Sequence, residues 1–238
     1  MEIYLKPHSA LATEVQIGAI HSSTTNSALL EKIAAYVTGY IRGSANKGKG
    51  NKPPTPDPVL SQANSTVCIQ AFVGDKKTQI SGFFINSKGL IICTTHDLAT
   101  FQKIKVILHD GNQLAGELIK FDSTKDLALI RCSWDSAKYV KLQNGRSLPK
   151  LGERIYSIGC PVNLLGTIHS GLISGPPRKA NRMPFWQAAI ETNPGSSGSP
   201  VFDSQGKLIG IVKGRYRGTN SIGFLIPLET ILSFVREP

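Results

Sequence analysis

The sequence lacks long hydrophobic runs. No apolar stretch approaches the roughly 20 residues that a membrane-spanning helix requires, and the N-terminus has no basic start followed by an apolar signal core. We therefore expect a soluble protein with no membrane span, and these features slightly favour the cytoplasm. A periplasmic or secreted location is the alternative if a signal was removed. The apolar fraction of 40% in 238 residues is sufficient for one or two domains with a sizeable core.

Cysteine is scarce, and its spacing is unlike that of a metal site or a disulfide framework. The four cysteines, each in or beside an apolar run, are Cys68, Cys93, Cys132 and Cys160. No Cys-x-x-Cys occurs, so we predict four buried, unpaired thiols, which favour a reducing compartment.

Histidine motifs for metal binding are also missing. No His-Glu-x-x-His occurs, and the histidines without a partner at ligand spacing are His8, His21, His109 and His169. We predict no metal and no cofactor.

Acidic residues are few relative to basic ones. The 16 Asp and Glu against 27 Lys and Arg give a formal charge of +11 and a pI near 9.6. Such a surface attracts anions, but no run of more than two Lys or Arg occurs. A solubilising basic surface is therefore favoured over specific binding of nucleic acid or anionic lipid.

One stretch rich in serine and glycine is typical of a tight loop before a buried strand. It runs from Asn193 through Gly195-Ser196-Ser197-Gly198 to Pro200, and the apolar run 208–212 follows. Only Ser197 has glycine two residues before and one after it. This spacing can place the amides of Gly195 and Ser197 toward one point, as an oxyanion hole requires. Taken alone, the stretch could equally be a solvated turn.

A histidine and an aspartate lie upstream in a usable order. The strand-like run 89–95 leads into His96, and Asp126 opens the apolar run 127–130. The chain order His, Asp, Ser is one in which acyl-transfer triads recur. We predict Ser197 as nucleophile, His96 as general base, and Asp126 as the group that orients the imidazole. The amides of 195–197, including that of Ser196, are the predicted oxyanion hole.

These residues resemble the trypsin-like serine proteases of the HtrA/Deg branch. The matching segments are Ser81–Ile85 with Gly89–Ile91, Asp126–Ile130, Gly195–Pro200 and Ser221–Pro227, and the resemblance extends over Ser65–Phe234. His96 precedes Asp126 by 30 residues and Asp126 precedes Ser197 by 71, short intervals as in that branch. The resemblance implies a serine endopeptidase that acts on protein or peptide substrates. It also implies two six-stranded antiparallel β-barrels that share the catalytic residues.

Several residues depart from the family pattern. Ser196 stands where the branch usually has Asn, and Ser199 replaces a glycine. Thr95 and Asp97 flank the histidine where Ala and Val are more usual. Asp97 could face solvent, or it could raise the pKa of His96. The family's PDZ module is not found before Pro238, so we expect no substrate capture through such a module.

The strand pattern by itself predicts only an all-β fold, with barrels or sandwiches. The first set of strand-like runs is 67–73, 80–85, 90–94, 103–108, 113–121 and 127–132. The second set is 154–159, 164–174, 187–191, 200–202, 208–213 and 221–227. With the family resemblance, these sets predict barrel one over about 65–143 and barrel two over about 150–227, followed by a C-terminal helix at 228–236.

The N-terminal quarter differs in composition from the rest of the chain. Apolar residues at helical spacing predict an amphipathic helix over 26–42 within an N-terminal extension, residues 1–43. A flexible Gly, Lys and Pro linker over 44–58 then leads to the protease domain, 59–238. The helix could pack on that domain, bind a partner or mediate homo-oligomer formation.

The resemblance also assigns residues to a substrate pocket. They are Glu191, Thr192, Asn193, Lys213, Gly214 and Arg215. Small aliphatic residues are the family expectation for the substrate, but the charged members of this set could impose a charged preference if they point inward. His169 could also touch substrate, although a structural role is favoured.

Two other functions are left open. The departures at 95, 97, 196 and 199 are compatible with a protease-like scaffold that has lost activity and binds partners through residues 26–42 and its basic surface. The serine loop also resembles the processing proteases of some plant viruses, although the strand 221–227 favours the HtrA branch.

Overall fold

The computed structural model describes residues 55–98, 101–135, 138–180, 182–216 and 222–237. The predicted helix over 26–42 and most of the predicted linker lie outside these residues. Strands dominate the described part, and they close into two separate six-stranded antiparallel barrels. The predicted fold class is therefore confirmed.

Barrel one is closed in the strand order β1-β2-β3-β6-β5-β4. Its strands are β1 (Thr66–Val73), β2 (Lys76–Phe84), β3 (Leu90–Cys93), β4 (Lys103–Ile107), β5 (Gln113–Asp122) and β6 (Leu127–Arg131). Side chains alternate strictly between more and less exposed along β5, as expected for a strand with one face toward the barrel interior. The strand pattern of the sequence predicted all six.

Barrel two repeats the architecture with the strand order β10-β11-β12-β9-β8-β7. Its strands are β7 (Arg154–Gly159), β8 (Thr167–Ala180), β9 (Met183–Ala189), β10 (Pro200–Phe202), β11 (Leu208–Arg215) and β12 (Gly223–Pro227). The hairpin of β8 and β9 is longer than predicted, because the sequence pattern ended the first strand at residue 174 and began the next at 187. Pro176 and Pro177 lie at a register shift between Gly175 and Arg178, where no ladder hydrogen bond from them is needed.

In the described part of the chain, two α-helices flank the barrels. α1 is the short helix Asp57–Leu60, and α2 is Leu228–Arg236, which confirms the predicted C-terminal helix. The predicted linker over 44–58 extends too far, because Asp57 and Pro58 belong to α1 and the next residue, Val59, is fully buried. The folded domain therefore begins a few residues earlier than predicted.

The apolar core has three parts. One cluster fills barrel one around Ile69, Ile91 and Ile130, and a second fills barrel two around Ile155 and Ile209. The third lies between the barrels and under α2, with buried members from both, among them Phe83, Leu127, Phe202, Leu228 and Phe234. This shared cluster fixes barrel one against barrel two, and so sets the cleft where their loops meet.

A disulfide joins the two barrels. Cys68 of β1 pairs with Cys160, directly after β7, and their Cα atoms are 5.4 Å apart. The prediction of four free thiols is therefore wrong for this pair, because residues 92 positions apart in sequence become neighbours only in the fold. Cys93 and Cys132 are free and buried, and burial raises the pKa of Cys132 to about 11. The expected reducing compartment loses its main support.

Among the described residues, no helix has the length and apolar character needed to cross a membrane.

We expect the disulfide to contribute about 2–4 kcal/mol to the free energy of unfolding, because it closes a long loop in the unfolded chain. Chemical denaturation with and without reductant measures this contribution. A Cys68→Ala, Cys160→Ala double variant should match the reduced protein, whereas Cys132→Ala should keep its response to reductant. Thiol titration of the unreduced, denatured protein should find two free thiols, and four would contradict the pairing.

Candidate active site

The antiparallel pairing of β3 with β6 brings His96 and Asp126 together. Cys93 lies opposite Ala128 in this ladder. His96 follows Cys93 by three residues, and Asp126 precedes Ala128 by two, so both lie at the same end of the strand pair. The Nδ1 atom of His96 is 2.9 Å from Oδ2 and 3.0 Å from Oδ1 of Asp126. An ionised carboxylate only accepts hydrogen bonds, so Nδ1 carries the proton and Nε2 is left as the basic nitrogen.

The Asp126 carboxylate is held from several directions. Its backbone adopts φ 57°, an uncommon conformation for a residue other than glycine. The backbone amides of Thr95 and His96 donate to Oδ1 over 3.2 and 2.9 Å. The ammonium group of Lys213 donates to Oδ2 over 2.5 Å. Asp126 is only 3% exposed, so these donors replace the water that the carboxylate loses on folding.

Burial and partners act on the two ionisable groups in opposite directions. Burial by itself raises the pKa of Asp126, but the hydrogen bonds and charges of His96 and Lys213 outweigh it, and the pKa lies below its usual value. The hydrogen bond to Asp126 raises the pKa of His96, whereas burial and the charge of Lys213 lower it; the net result is a raised pKa. The carboxylate is thus kept ionised to stabilise an imidazolium.

Asp97 contacts the other side of the imidazole. Its Oδ2 atom is 3.4 Å from Nε2 of His96, and its side chain is 41% exposed. The charge of Asp97 adds to the causes that raise the pKa of His96. Both interpretations of Asp97 from the sequence therefore hold in part: the side chain reaches solvent, and it also acts on the base.

The loop that carries Ser197 is fixed to barrel one by Ser81 of β2. The Ser81 amide donates to the Ser197 carbonyl over 2.8 Å, and its hydroxyl donates to the Gly195 carbonyl over 2.7 Å. Gly195 and Gly198 have φ values of +91° and +87°, which side chains rarely tolerate. A Cβ on Gly198 would also collide with the Ser81 carbonyl oxygen. The glycines therefore permit the turn that presents Ser197.

Two amides of this loop are available as an oxyanion hole. Among the described residues, the N–H groups of Gly195 and Ser197 have no hydrogen-bond acceptor in the protein. The amide of Ser196 differs, because it donates to the Asn193 carbonyl over 2.9 Å, and its hydroxyl accepts from the Asn193 amide over 3.1 Å. The inclusion of Ser196 among the oxyanion donors is thus wrong: its amide is engaged within the loop.

The Ser197 hydroxyl donates to the carbonyl oxygen of Lys213 over 3.1 Å. In the described part of the chain, no hydrogen bond joins it to His96. The structure thus holds the His96–Asp126 pair and the Ser197 loop in place, with the hydroxyl directed at the Lys213 carbonyl.

A pocket of about 180 Å³ opens beside Ser197. Four residues of the predicted pocket line it, together with Pro194, Ser196 and Ser197: Thr192, Asn193, Gly214 and Arg215. Glu191 and Lys213 do not. The Glu191 side chain is mostly exposed, and its Oε2 atom lies 3.4 Å from Nδ1 of His169. The Lys213 side chain instead contacts Asp126. Of the residues predicted to bind substrate, Glu191 and Lys213 thus lie outside the lining of this pocket.

The roles of two residues were not indicated by the sequence. Ser81 is fully buried, and the available signal was a small polar residue that follows Ile80 and precedes Gly82 in β2. Lys213 was assigned to the pocket, and no local pattern indicates its contact with Asp126, which lies 87 residues away in sequence. Within the described ranges, no cluster of three or more His, Cys, Asp or Glu is suited to a metal ion.

The sequence matches a known protein family and is similar to several known proteins. Residues 80–211 match the family model described as "Trypsin-like peptidase domain". The chain is 31% identical over 163 residues to a protein of Hahella chejuensis and 32% identical over 164 residues to one of Halomonas elongata, both named "Probable periplasmic serine endoprotease DegP-like". Each alignment covers 66% of this chain and 34% of the relative. The chain thus spans about a third of the length of these relatives.

Solved structures show the same architecture. The serine endoprotease from Yersinia pestis superimposes with a TM-score of 0.68 at 25% identity, covering 77% of this chain and 66% of that one. The HtrA-type protease AlgW, solved with a tripeptide, gives a TM-score of 0.68 at 24% identity over 77% of this chain and 63% of that one. The similarity to AlgW supports the fold alone.

The contact of Asp97 with His96 predicts a change in pKa. We expect Asp97→Asn to lower the pKa of His96 relative to the wild type, because the imidazolium loses one of the charges that stabilise it. An NMR titration of the His96 ring protons measures this. Asp110→Asn, in the exposed turn between β4 and β5, is the control and should leave the titration unchanged. An equal or higher His96 pKa in Asp97→Asn would contradict the contact.

Proposed function

Because the chain belongs to the trypsin-like peptidase domain family, we propose that it is a serine endopeptidase with Ser197 as nucleophile, His96 as general base and Asp126 as the orienting carboxylate. The observation that carries this proposal is the convergence of two parts in one cleft. Barrel one contributes an imidazole whose Nδ1 is fixed by Asp126, and barrel two contributes Ser197 with the amides of Gly195 and Ser197, which have no acceptor among the described residues.

The reaction follows from these positions. The Ser197 hydroxyl rotates from the Lys213 carbonyl to Nε2 of His96, and its oxygen attacks the substrate carbonyl carbon while Nε2 takes the proton. The amides of Gly195 and Ser197 donate to the oxygen that becomes negative. His96 then gives its proton to the leaving amine as the C–N bond breaks, and an acyl-enzyme on Ser197 remains. A water molecule then attacks the acyl carbon while Nε2 takes its proton, and His96 returns that proton to Ser197 Oγ as the ester bond breaks and the acid leaves.

Protein or peptide chains are the proposed substrates, and the proposed location is outside the cytoplasm. The relatives are named periplasmic endoproteases, and the Cys68–Cys160 disulfide suits an oxidising compartment. The expectation of a cytoplasmic protein is not supported by either observation. Their names also favour the HtrA branch over a viral processing protease. Partner binding or oligomer formation through 26–42 remains a prediction about residues outside those described.

A binding scaffold without activity is the second candidate. It is favoured by the hydrogen bond from the Ser197 hydroxyl to Lys213 rather than to His96, and by the carboxylate of Asp97 at Nε2. In a scaffold these contacts persist, whereas in an enzyme they are exchanged when substrate binds.

A fluorophosphonate probe distinguishes the two candidates, because it reacts only with a serine that a neighbouring base activates. We expect one phosphonyl group per chain, located on Ser197 by peptide mass spectrometry and lost in Ser197→Ala. His96→Ala should lower the labelling rate by at least about 10²-fold. Ser204→Ala, at an exposed serine, is the control and should label like the wild type. No labelling of a folded wild-type protein would favour the scaffold.

The pocket predicts a preference for small side chains in the substrate residue before the cut. Arg215 lines the pocket with Thr192 and Asn193, and we expect its long side chain to reduce the space available. A peptide-library digest should therefore favour small residues, and Arg215→Ala should admit larger ones. Ser197→Ala is the background control. An unchanged profile in Arg215→Ala would contradict this role.

A further inference from the structure

The Asp126 carboxylate has two cationic or potentially cationic partners. His96 Nδ1 and Lys213 Nζ both contact its Oδ2 atom, over 2.9 and 2.5 Å. The Asp126 side chain is 4% exposed, whereas that of Lys213 is 36% exposed. The ammonium group therefore reaches from the solvent side onto a buried carboxylate that already serves the histidine.

A bulge in β11 directs Lys213 toward this carboxylate. Val212 pairs with Leu225 and Gly214 pairs with Phe224, so Lys213 is an extra residue in the ladder between β11 and β12. Bulges bend a strand and redirect side chains. The Lys213 side chain also crosses the ring of Phe185, with Nζ 5.4 Å from the ring centre. The bulge in β11 and the contact with Phe185 thus direct the Lys213 side chain toward Asp126.

The same residue is tied to the nucleophile loop by backbone contacts. The Lys213 carbonyl accepts the hydrogen bond of Ser197 Oγ. Its neighbour Val212 accepts from the Gly198 amide over 2.8 Å and donates to the Ser199 carbonyl over 2.9 Å. Lys213 therefore contacts the serine loop through its backbone and the aspartate through its side chain.

The charges around the imidazole act in both directions. Asp126 and Asp97 raise the pKa of His96, whereas Lys213 lowers it. The thiol of Cys93 is also buried. Burial and the charge of Asp126 raise its pKa so far that the thiol stays neutral. Lys213 is thus the positive charge that opposes protonation of His96 among these groups.

We propose that Lys213 is a positioning residue of this site: its ammonium group fixes the Asp126 carboxylate toward His96 and offsets the charge of the two aspartates beside the imidazole. As a role in catalysis, this inference rests on the proposed function. The consequence is that the neutral imidazole, which a general base requires, persists to lower pH than it would without Lys213.

Two variants separate the charge of Lys213 from its packing. Lys213→Met keeps the apolar stem against Phe185 and removes the charge, whereas Lys213→Arg retains a cation. In Lys213→Met we expect the His96 NMR titration to move to higher pH, and the acid limb of fluorophosphonate labelling to move with it. At a pH on that limb, labelling should fall about three- to tenfold. Lys213→Arg should restore both measurements toward the wild type.

The outcomes also separate this inference from the proposed function. Wild-type labelling with an unchanged His96 titration and acid limb in Lys213→Met would overturn the role of Lys213 and leave the peptidase proposal standing. A folded wild type that resists labelling would overturn the peptidase proposal, while a raised His96 pKa in Lys213→Met would still support the charge effect. If Lys213→Met does not fold, Lys213→Gln provides the same neutral test, and the same two results decide it.

Discussion

Ser81 makes the contacts on which the site depends, because it joins the loop that carries Ser197, in barrel two, to barrel one. It donates to the carbonyls of Ser197 and Gly195, and its hydroxyl accepts from the Cys160 amide over 2.8 Å. Ser81 also lies opposite Cys68 in the β1–β2 ladder. The disulfide between Cys68 and Cys160 therefore joins the two barrels covalently beside Ser81. His96 and Asp126 belong to barrel one. Only a rigid link between the barrels keeps Ser197 within reach of them.

The second constraint is the cost of a buried carboxylate. Asp126 loses its water, and two amides, an imidazole and an ammonium group replace it. Charge-assisted hydrogen bonds are stronger than neutral ones, which explains why the pKa of Asp126 is lowered although burial acts to raise it. A buried carboxylate that remains ionised can stabilise the imidazolium that the proposed mechanism requires.

Local patterns in the sequence were enough to predict most of the strands and the candidate triad, because runs of β-forming residues and the glycines around Ser197 act over a few positions. The pairing of Cys68 with Cys160 and the contacts of Ser81 and Lys213 were not predictable in this way. Each joins residues about 80 or more positions apart, and the direction of the Lys213 side chain depends on a bulge set by the β12 register. The Ser196 amide was wrongly predicted to be an oxyanion donor, because the direction of its N–H depends on the orientation of one peptide group within a turn.

The hydrogen bond from Ser197 to Lys213 does not disqualify the site as a hydrolase. In the proposed mechanism the hydroxyl exchanges the Lys213 carbonyl for Nε2 of His96, and a typical hydrogen bond has a net contribution of only about 1 kcal/mol. Asp97 at Nε2 is similarly weak as a competitor, because its carboxylate is partly exposed to water and attracts only a protonated ring. A neutral imidazole therefore favours the serine over Asp97, and the pKa of His96 determines how often that state is present.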